Sequence, residues 1–121
     1  MITVLEWMKL QYPTAYKNII KIDNEGATGR AQAIQCGLHV GASDWFLRHP
    51  TLKYYGAFLE VKPDGWKLTP SKKANFDTQS RFIFDSRCLG YAADLRIGVD
   101  ACIDFFDNYL KGKTIDYQLT V

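Results

Sequence analysis

The sequence is short of cysteine, of net charge and of long apolar runs, and each shortage removes a class of function. Its three cysteines, Cys36, Cys88 and Cys102, are odd in number and far apart, with no CxxC pair and no closely spaced Cys or His to build a zinc site. They read as reduced structural thiols of an intracellular protein. Fifteen Lys+Arg against 13 Asp+Glu leave a formal charge of +2 and no dense basic run, which argues against a generic electrostatic coat for nucleic acid. No apolar stretch approaches the ~20 residues that span a bilayer. The start, MITVLEWMKLQYP, lacks the basic segment, apolar run and small-residue cleavage site of a leader, so a soluble, cytoplasmic protein without a membrane partner is expected. Nucleophile–base pairs, phosphate-binding glycine loops and cofactor fingerprints are also missing, so no organic cofactor is expected.

What is present is an ordinary globular composition, 47% hydrophobic and 14% aromatic. A chain of 121 residues buries roughly two thirds of its unfolded surface, enough for one core and too little for two, so residues 1–121 are expected to form a single domain.

Periodicity places the elements. Ile2, Leu5, Trp7 and Met8 fit one side of a short helix that Pro13 should stop. Lys17 to Ile22 is a short β-branched stretch, followed by the turn residues Asp23-Asn24-Glu25-Gly26 and a short helix around Arg30 to Cys36 closed by Gly37. Trp45-Phe46-Leu47 and Tyr54 to Val61 read as strands separated by Arg48-His49-Pro50-Thr51. Thr69-Pro70 has the form of an N-cap with proline at the first helical position, opening a long helix to about Leu89. Tyr91 to Ile97 reads as a strand. Asp100 can cap a last helix in which Cys102, Phe105, Phe106 and Tyr109 form an i, i+3, i+4, i+7 stripe ended by Gly112. The tail from Thr114 to Val121 alternates apolar and polar residues and is expected as a C-terminal strand extension within 112–121, able to pair with another subunit. The order predicts a mixed α/β fold with a central sheet flanked by helices.

The candidate chemistry lies at Asp44 and at Glu60-Val61-Lys62. Alternation puts Glu60 and Lys62 on one side of a strand and Val61 on the other. Two carboxylates on paired strands can hold a hard divalent cation through oxygen, and the cation can acidify a bound water, with Lys62 orienting that water or neutralising a phosphate. The triplet alone is weak, because 13 acids and ten lysines in a chain of this length give about one acid-x-Lys by chance. Its context carries more.

In order along the chain stand Asn24-Glu25-Gly26, Arg30, Gly37, Gly41-Ala42-Ser43-Asp44, Tyr55-Gly56-Ala57-Phe58-Leu59-Glu60-Val61-Lys62, Leu68-Thr69-Pro70, Gln79, Gly90-Tyr91 and Gly98-Val99-Asp100-Ala101 leading to Tyr109-Leu110. Over residues 24–110 this resembles the VRR-NUC family of the PD-(D/E)XK nuclease superfamily. The resemblance implies a restriction-endonuclease-like core and metal-dependent hydrolysis of DNA phosphodiesters with Mg²⁺ or Mn²⁺. It implies Asp44 and Glu60 as metal ligands with the Val61 backbone carbonyl as a third, Lys62 as the catalytic lysine, and Gln79 as a supporting catalytic residue. Gln79 also shares a helical stripe with Phe76 and Ile83, which aims a polar group at an apolar face. One departure concerns a glutamate early in the first helix, upstream of the segment matching Leu5-Glu6-Trp7-Met8; Glu6 is the available substitute, at a different offset.

Lys67, Lys72 and Lys73 at the start of the long helix are candidate nucleic-acid contacts, together with the helix N-terminus. Trp66 is a candidate for stacking on a base. His39 and His49 are weaker candidates, both read as loop residues. One domain without a separate reading module should recognise backbone and shape, which points to junction, flap or branched DNA. The resemblance of the superfamily's small members to Holliday junction resolvases implies a homodimer, whose second copy would widen the footprint. The alternative is a catalytically weak or inactive DNA-binding or assembly subunit with a nuclease fold.

Overall fold

The computed structural model describes residues 3–22 and 41–120. The helix expected at Arg30 to Cys36, the Asn24-Glu25-Gly26 turn and His39 lie outside the described residues.

Helix α1, Val4–Gln11, starts on a capping box: the Thr3 hydroxyl accepts the Glu6 N–H and the Glu6 carboxylate accepts the Thr3 N–H, each at 3.1 Å. Pro13 does not simply stop this helix. It opens a second, α2 (Pro13–Tyr16), at a first-turn position where no N–H is needed. There follow β1 (Ile19–Lys21), β2 (Trp45–Leu47), β3 (Ala57–Lys62), a 3-10 turn (Pro70–Lys72), α3 (Lys73–Cys88), β4 (Ala92–Ile97) and α4 (Val99–Leu110).

The strands lie in the order β1-β2-β3-β4, antiparallel up to β3 and parallel between β3 and β4, with α3 making the crossover. Alternation along β3 divides the sheet. Ala57 and Leu59 face α1 and α4, joining Met8, Leu47, Cys102, Phe105, Phe106 and Tyr109 in the main core. The predicted stripe of α4 is thus its buried face. Phe58 faces α3, where Ala93, Leu95 and Ile83 form a smaller core. Glu60 and Lys62, in phase with Phe58, are carried on this second face.

Some boundaries differ from those expected, each for a local reason. The strand expected from Tyr54 begins at Ala57, because the Tyr55 amide is drawn to the Gly90 carbonyl (3.0 Å) in the turn before β4. The Thr69 hydroxyl does not cap α3; it shares a hydrogen bond with Ser71 Oγ, and the helix enters through the 3-10 turn instead. Gly98, not Asp100, is the N-cap of α4, and Asp100 sits in the first turn, where its charge favours the helix dipole.

The tail is also corrected: among the described residues, 113–120 form no strand. Asp94, fully buried on β4, accepts the amides of Gln118 and Leu119 at 2.9 Å each, Arg96 Nε at 2.6 Å and Arg87 Nη2 at 3.2 Å. Arg96 also donates to the carbonyl of Asp116, and the Arg87 guanidinium stacks on the Tyr117 ring at 3.7 Å. Two amides that a strand would spend on a ladder are thereby taken by one carboxylate. The segment crosses from the main core, where Ile115 is buried, to the α3 side, where Leu119 packs, and is held to β4 through the Asp94 and Arg96 side chains.

Candidate active site

Three pieces of chain converge on the α3 face of the sheet. Asp44 immediately precedes β2, and extending the β2–β3 register by one residue sets it opposite Glu60. Its Oδ2 accepts the Val61 N–H at 2.9 Å, and its carbonyl accepts the Ile22 N–H at 2.7 Å, so both the side chain and the backbone are fixed. Glu60 is 3% exposed and lies 4.0 Å from the Lys62 ammonium. Lys62 in turn donates to Gln79 Oε1 on α3 at 3.0 Å. Thus Asp44, Glu60, Val61, Lys62 and Gln79 are brought into one connected group.

The approach of the Asp44 turn to α3 depends on Gly41. Its φ is +87°, and a Cβ there would meet Thr78 Cγ2 at 2.5 Å, one residue before Gln79. No larger residue fits this contact without displacement.

Among the described residues no group of three or more His, Cys, Asp and Glu side chains is arranged to hold a metal. A two-carboxylate site completed by a backbone oxygen is a different donor set. The Lys62 carbonyl is taken by the Gly98 amide on the β4 side, so alternation turns the Val61 carbonyl toward the β2 side, where Asp44 lies. Hard oxygens from Asp44, Glu60 and Val61 fit Mg²⁺ or Mn²⁺, which retain several waters when bound by one or two carboxylates. Glu6 is occupied as the capping-box partner of Thr3 on α1.

The lysines divide. Directly after β3, Pro63-Asp64-Gly65-Trp66 makes a turn closed by the Trp66 N–H on the Pro63 carbonyl (3.1 Å), with Gly65 at φ +78° in the third position, which selects glycine. The turn folds Trp66 back over the strand end. Its ring has Lys62 Nζ at 5.3 Å and Lys72 Nζ at 5.4 Å, and Phe76 of α3 stacks beside it. Lys72 also donates to the Lys67 carbonyl, while the Lys67 side chain is exposed. Lys73 is ion-paired with Asp77 one turn on. A shallow cavity of about 230 Å³ lies among Lys62, Trp66, Lys72, Asn75, Phe76 and Gln79. A larger open hollow of about 600 Å³ runs between α3 and the tail, but none of the expected site residues lines it. His49 is a loop residue whose carbonyl accepts the Tyr109 hydroxyl. Cys88 and Cys102 are free thiols, Cys88 exposed and Cys102 buried.

The described residues form a restriction-endonuclease-like α/β fold: a four-stranded mixed sheet with helices on both faces and an acidic strand end. Among solved structures the chain is similar to a VRR_NUC domain protein, with a TM-score of 0.72 and 24% identity over 96% of this chain and 90% of that one. At that identity the likeness is one of fold. No family model matches the sequence, and no curated protein matches it. Among the described residues no helix is long and apolar enough to cross a membrane.

Proposed function

We propose that the protein is a divalent-metal-dependent endodeoxyribonuclease. The observation that carries this reading is the connected group of Asp44, Glu60, Lys62 and Gln79 at one strand end, in a chain with the fold of a VRR_NUC domain protein. Asp44, Glu60 and the Val61 carbonyl would hold Mg²⁺ or Mn²⁺. When bound, the ion supplies Lewis-acid stabilisation of phosphodiester charge and a more acidic water.

The chain's own residues do the rest. The Val61 amide fixes the rotamer of Asp44, and Glu60, buried in a low-dielectric strand end, has the Lys62 ammonium to compensate its charge. Lys62 gives one of its three N–H groups to Gln79 and retains the others for a non-bridging phosphate oxygen or the attacking water. Lys72 borders the cleft beside Trp66, and it would hold the backbone of the substrate strand together with the exposed Lys67, next to Trp66 in the chain. Contacts of this kind read phosphate geometry, which favours branched, flapped or junction DNA, and a homodimer would provide two such centres. The tail is engaged with its own chain, so pairing would use another surface.

The test is cleavage of labelled junction, flap and plain duplex DNA with Mg²⁺ or Mn²⁺ by wild type, Asp44→Ala and Lys62→Ala. Wild-type cleavage of branched over plain DNA, lost in both variants, is expected; full activity in either variant refutes the site.

A second reading, a DNA-binding or assembly subunit without efficient chemistry, is favoured by the engagement of Glu6 in the α1 cap. It predicts DNA binding indifferent to divalent ions and no cleavage. Calorimetric binding of Mn²⁺ to wild type but not to Glu60→Gln counts against it.

A further inference from the structure

Resting on the nuclease reading, we propose that Trp66 is a positioning residue for Lys62, its indole face serving as one wall that holds the ammonium at the acidic strand end. A lysine on a four-carbon stem has high rotamer entropy and no intrinsic preference for one endpoint. Here the ammonium is bounded on three sides, by Gln79 Oε1 at 3.0 Å, Glu60 Oε2 at 4.0 Å and the Trp66 ring at 5.3 Å, and its side chain is only 13% exposed. The ring is itself fixed by the turn that ends β3 and by Phe76 behind it. It attracts a cation through its quadrupole without withdrawing a proton or occupying an N–H group, leaving Lys62 free to donate elsewhere. Lys72 lies near the same ring, so the indole also brings a substrate-facing cation alongside the catalytic one.

The experiment compares wild type, Trp66→Ala and Trp66→Phe by two readouts on the full chain. The first needs no DNA or metal: the Lys62 Cε–H resonance, assigned through its loss in Lys62→Arg. An upfield ring-current shift in wild type, abolished in Trp66→Ala and partly kept in Trp66→Phe, is expected. The second is steady-state cleavage. Trp66→Ala should lower kcat about 10-fold, the order that a partly desolvated cation–π contact supports, with KM within about 3-fold, and Trp66→Phe should recover most of the loss. An unshifted Lys62 resonance in wild type overturns the proposal. So does an unchanged kcat in Trp66→Ala, a rise confined to KM, which would make the ring a substrate surface, or a Phe variant no better than Ala. Absence of cleavage by wild type refutes the nuclease reading instead, and the resonance then decides the Trp66–Lys62 contact alone.

Discussion

Lys62 donates to the side-chain oxygen of Gln79 at 3.0 Å, tying the end of β3 to α3 across the sheet face. The bond occupies one proton of the ammonium and fixes the direction of the others. Replacing Gln79 with Ala removes the tie while leaving every charged group in place. Steady-state kinetics should show kcat lower by about 10- to 100-fold, as for other groups that orient an active-site side chain, with KM within about 3-fold. A change in KM alone would place Gln79 in substrate binding.

Gly41→Ala meets two obstacles, the positive φ and the contact with Thr78 Cγ2. Together they should destabilise the protein by about 2–4 kcal/mol, from the costs of a non-glycine left-handed residue and of overpacking. Thr78→Ser removes the offending methyl and keeps the hydroxyl that bonds the Ala74 carbonyl. In urea denaturation the double variant should therefore recover the part of the loss due to the methyl and retain the part due to the positive φ and to the Thr78 carbonyl oxygen, 3.0 Å from the added Cβ.

Asp94→Ala leaves Arg96 and Arg87 without their shared carboxylate and frees the amides of Gln118 and Leu119. Breaking such a buried network costs about 3–5 kcal/mol. Hydrogen exchange at residues 118 and 119 should accelerate in any variant population that remains folded. Asp77→Ala, which removes the exposed partner of Lys73, should change stability by less than about 1 kcal/mol.

Alkaline pH should unfold the protein early. Burial pushes the Tyr109 and Tyr117 hydroxyls up to about 12 and the Cys102 thiol up to about 11; burial, then the hydrogen bond to Asp107, takes Tyr12 to about 12. The unfolded chain loses these protons first, near 9 for the thiol and 10 for the phenols. Stability from the raised values is therefore fully present below pH 9 and falls as pH rises toward 11 and 12. Urea midpoints from pH 8 to 11 should decline, and Tyr12→Phe should flatten the upper part of that slope; a flat wild-type profile contradicts the assignment.

Much of the fold is legible in local pattern. The α4 stripe Cys102, Phe105, Phe106 and Tyr109 is the buried face of its helix, and the period of two along β3 correctly puts Glu60 and Lys62 on one face. Asp44, 16 residues before Glu60, is connected to that strand only by pairing, which two successive strand readings suggest and which only the β2–β3 register fixes residue by residue. The tail shows why pattern has limits. Its alternation from Thr114 is real, but the ladder it suggests loses to a buried carboxylate already flanked by two arginines, Arg87 and Arg96. The signal was an Asp-x-Arg on an otherwise apolar strand, which asks for compensation from elsewhere in the chain. Trp66 was visible as a loop aromatic. Its position over Lys62 follows from Pro63-Asp64-Gly65, a turn that reverses the chain at the point where β3 ends.

The most direct measurement is single-turnover cleavage of end-labelled junction DNA by wild type, Glu60→Gln and Lys62→Ala, each with Mg²⁺ and with EDTA, at protein concentrations where all three bind the DNA. Cleavage by wild type with Mg²⁺, none with EDTA, and a loss of at least about 100-fold in both variants are expected, the scale for removing a group that stabilises transition-state charge. Cleavage that persists in EDTA, or at the wild-type rate in either variant, would contradict the proposed metal-dependent site.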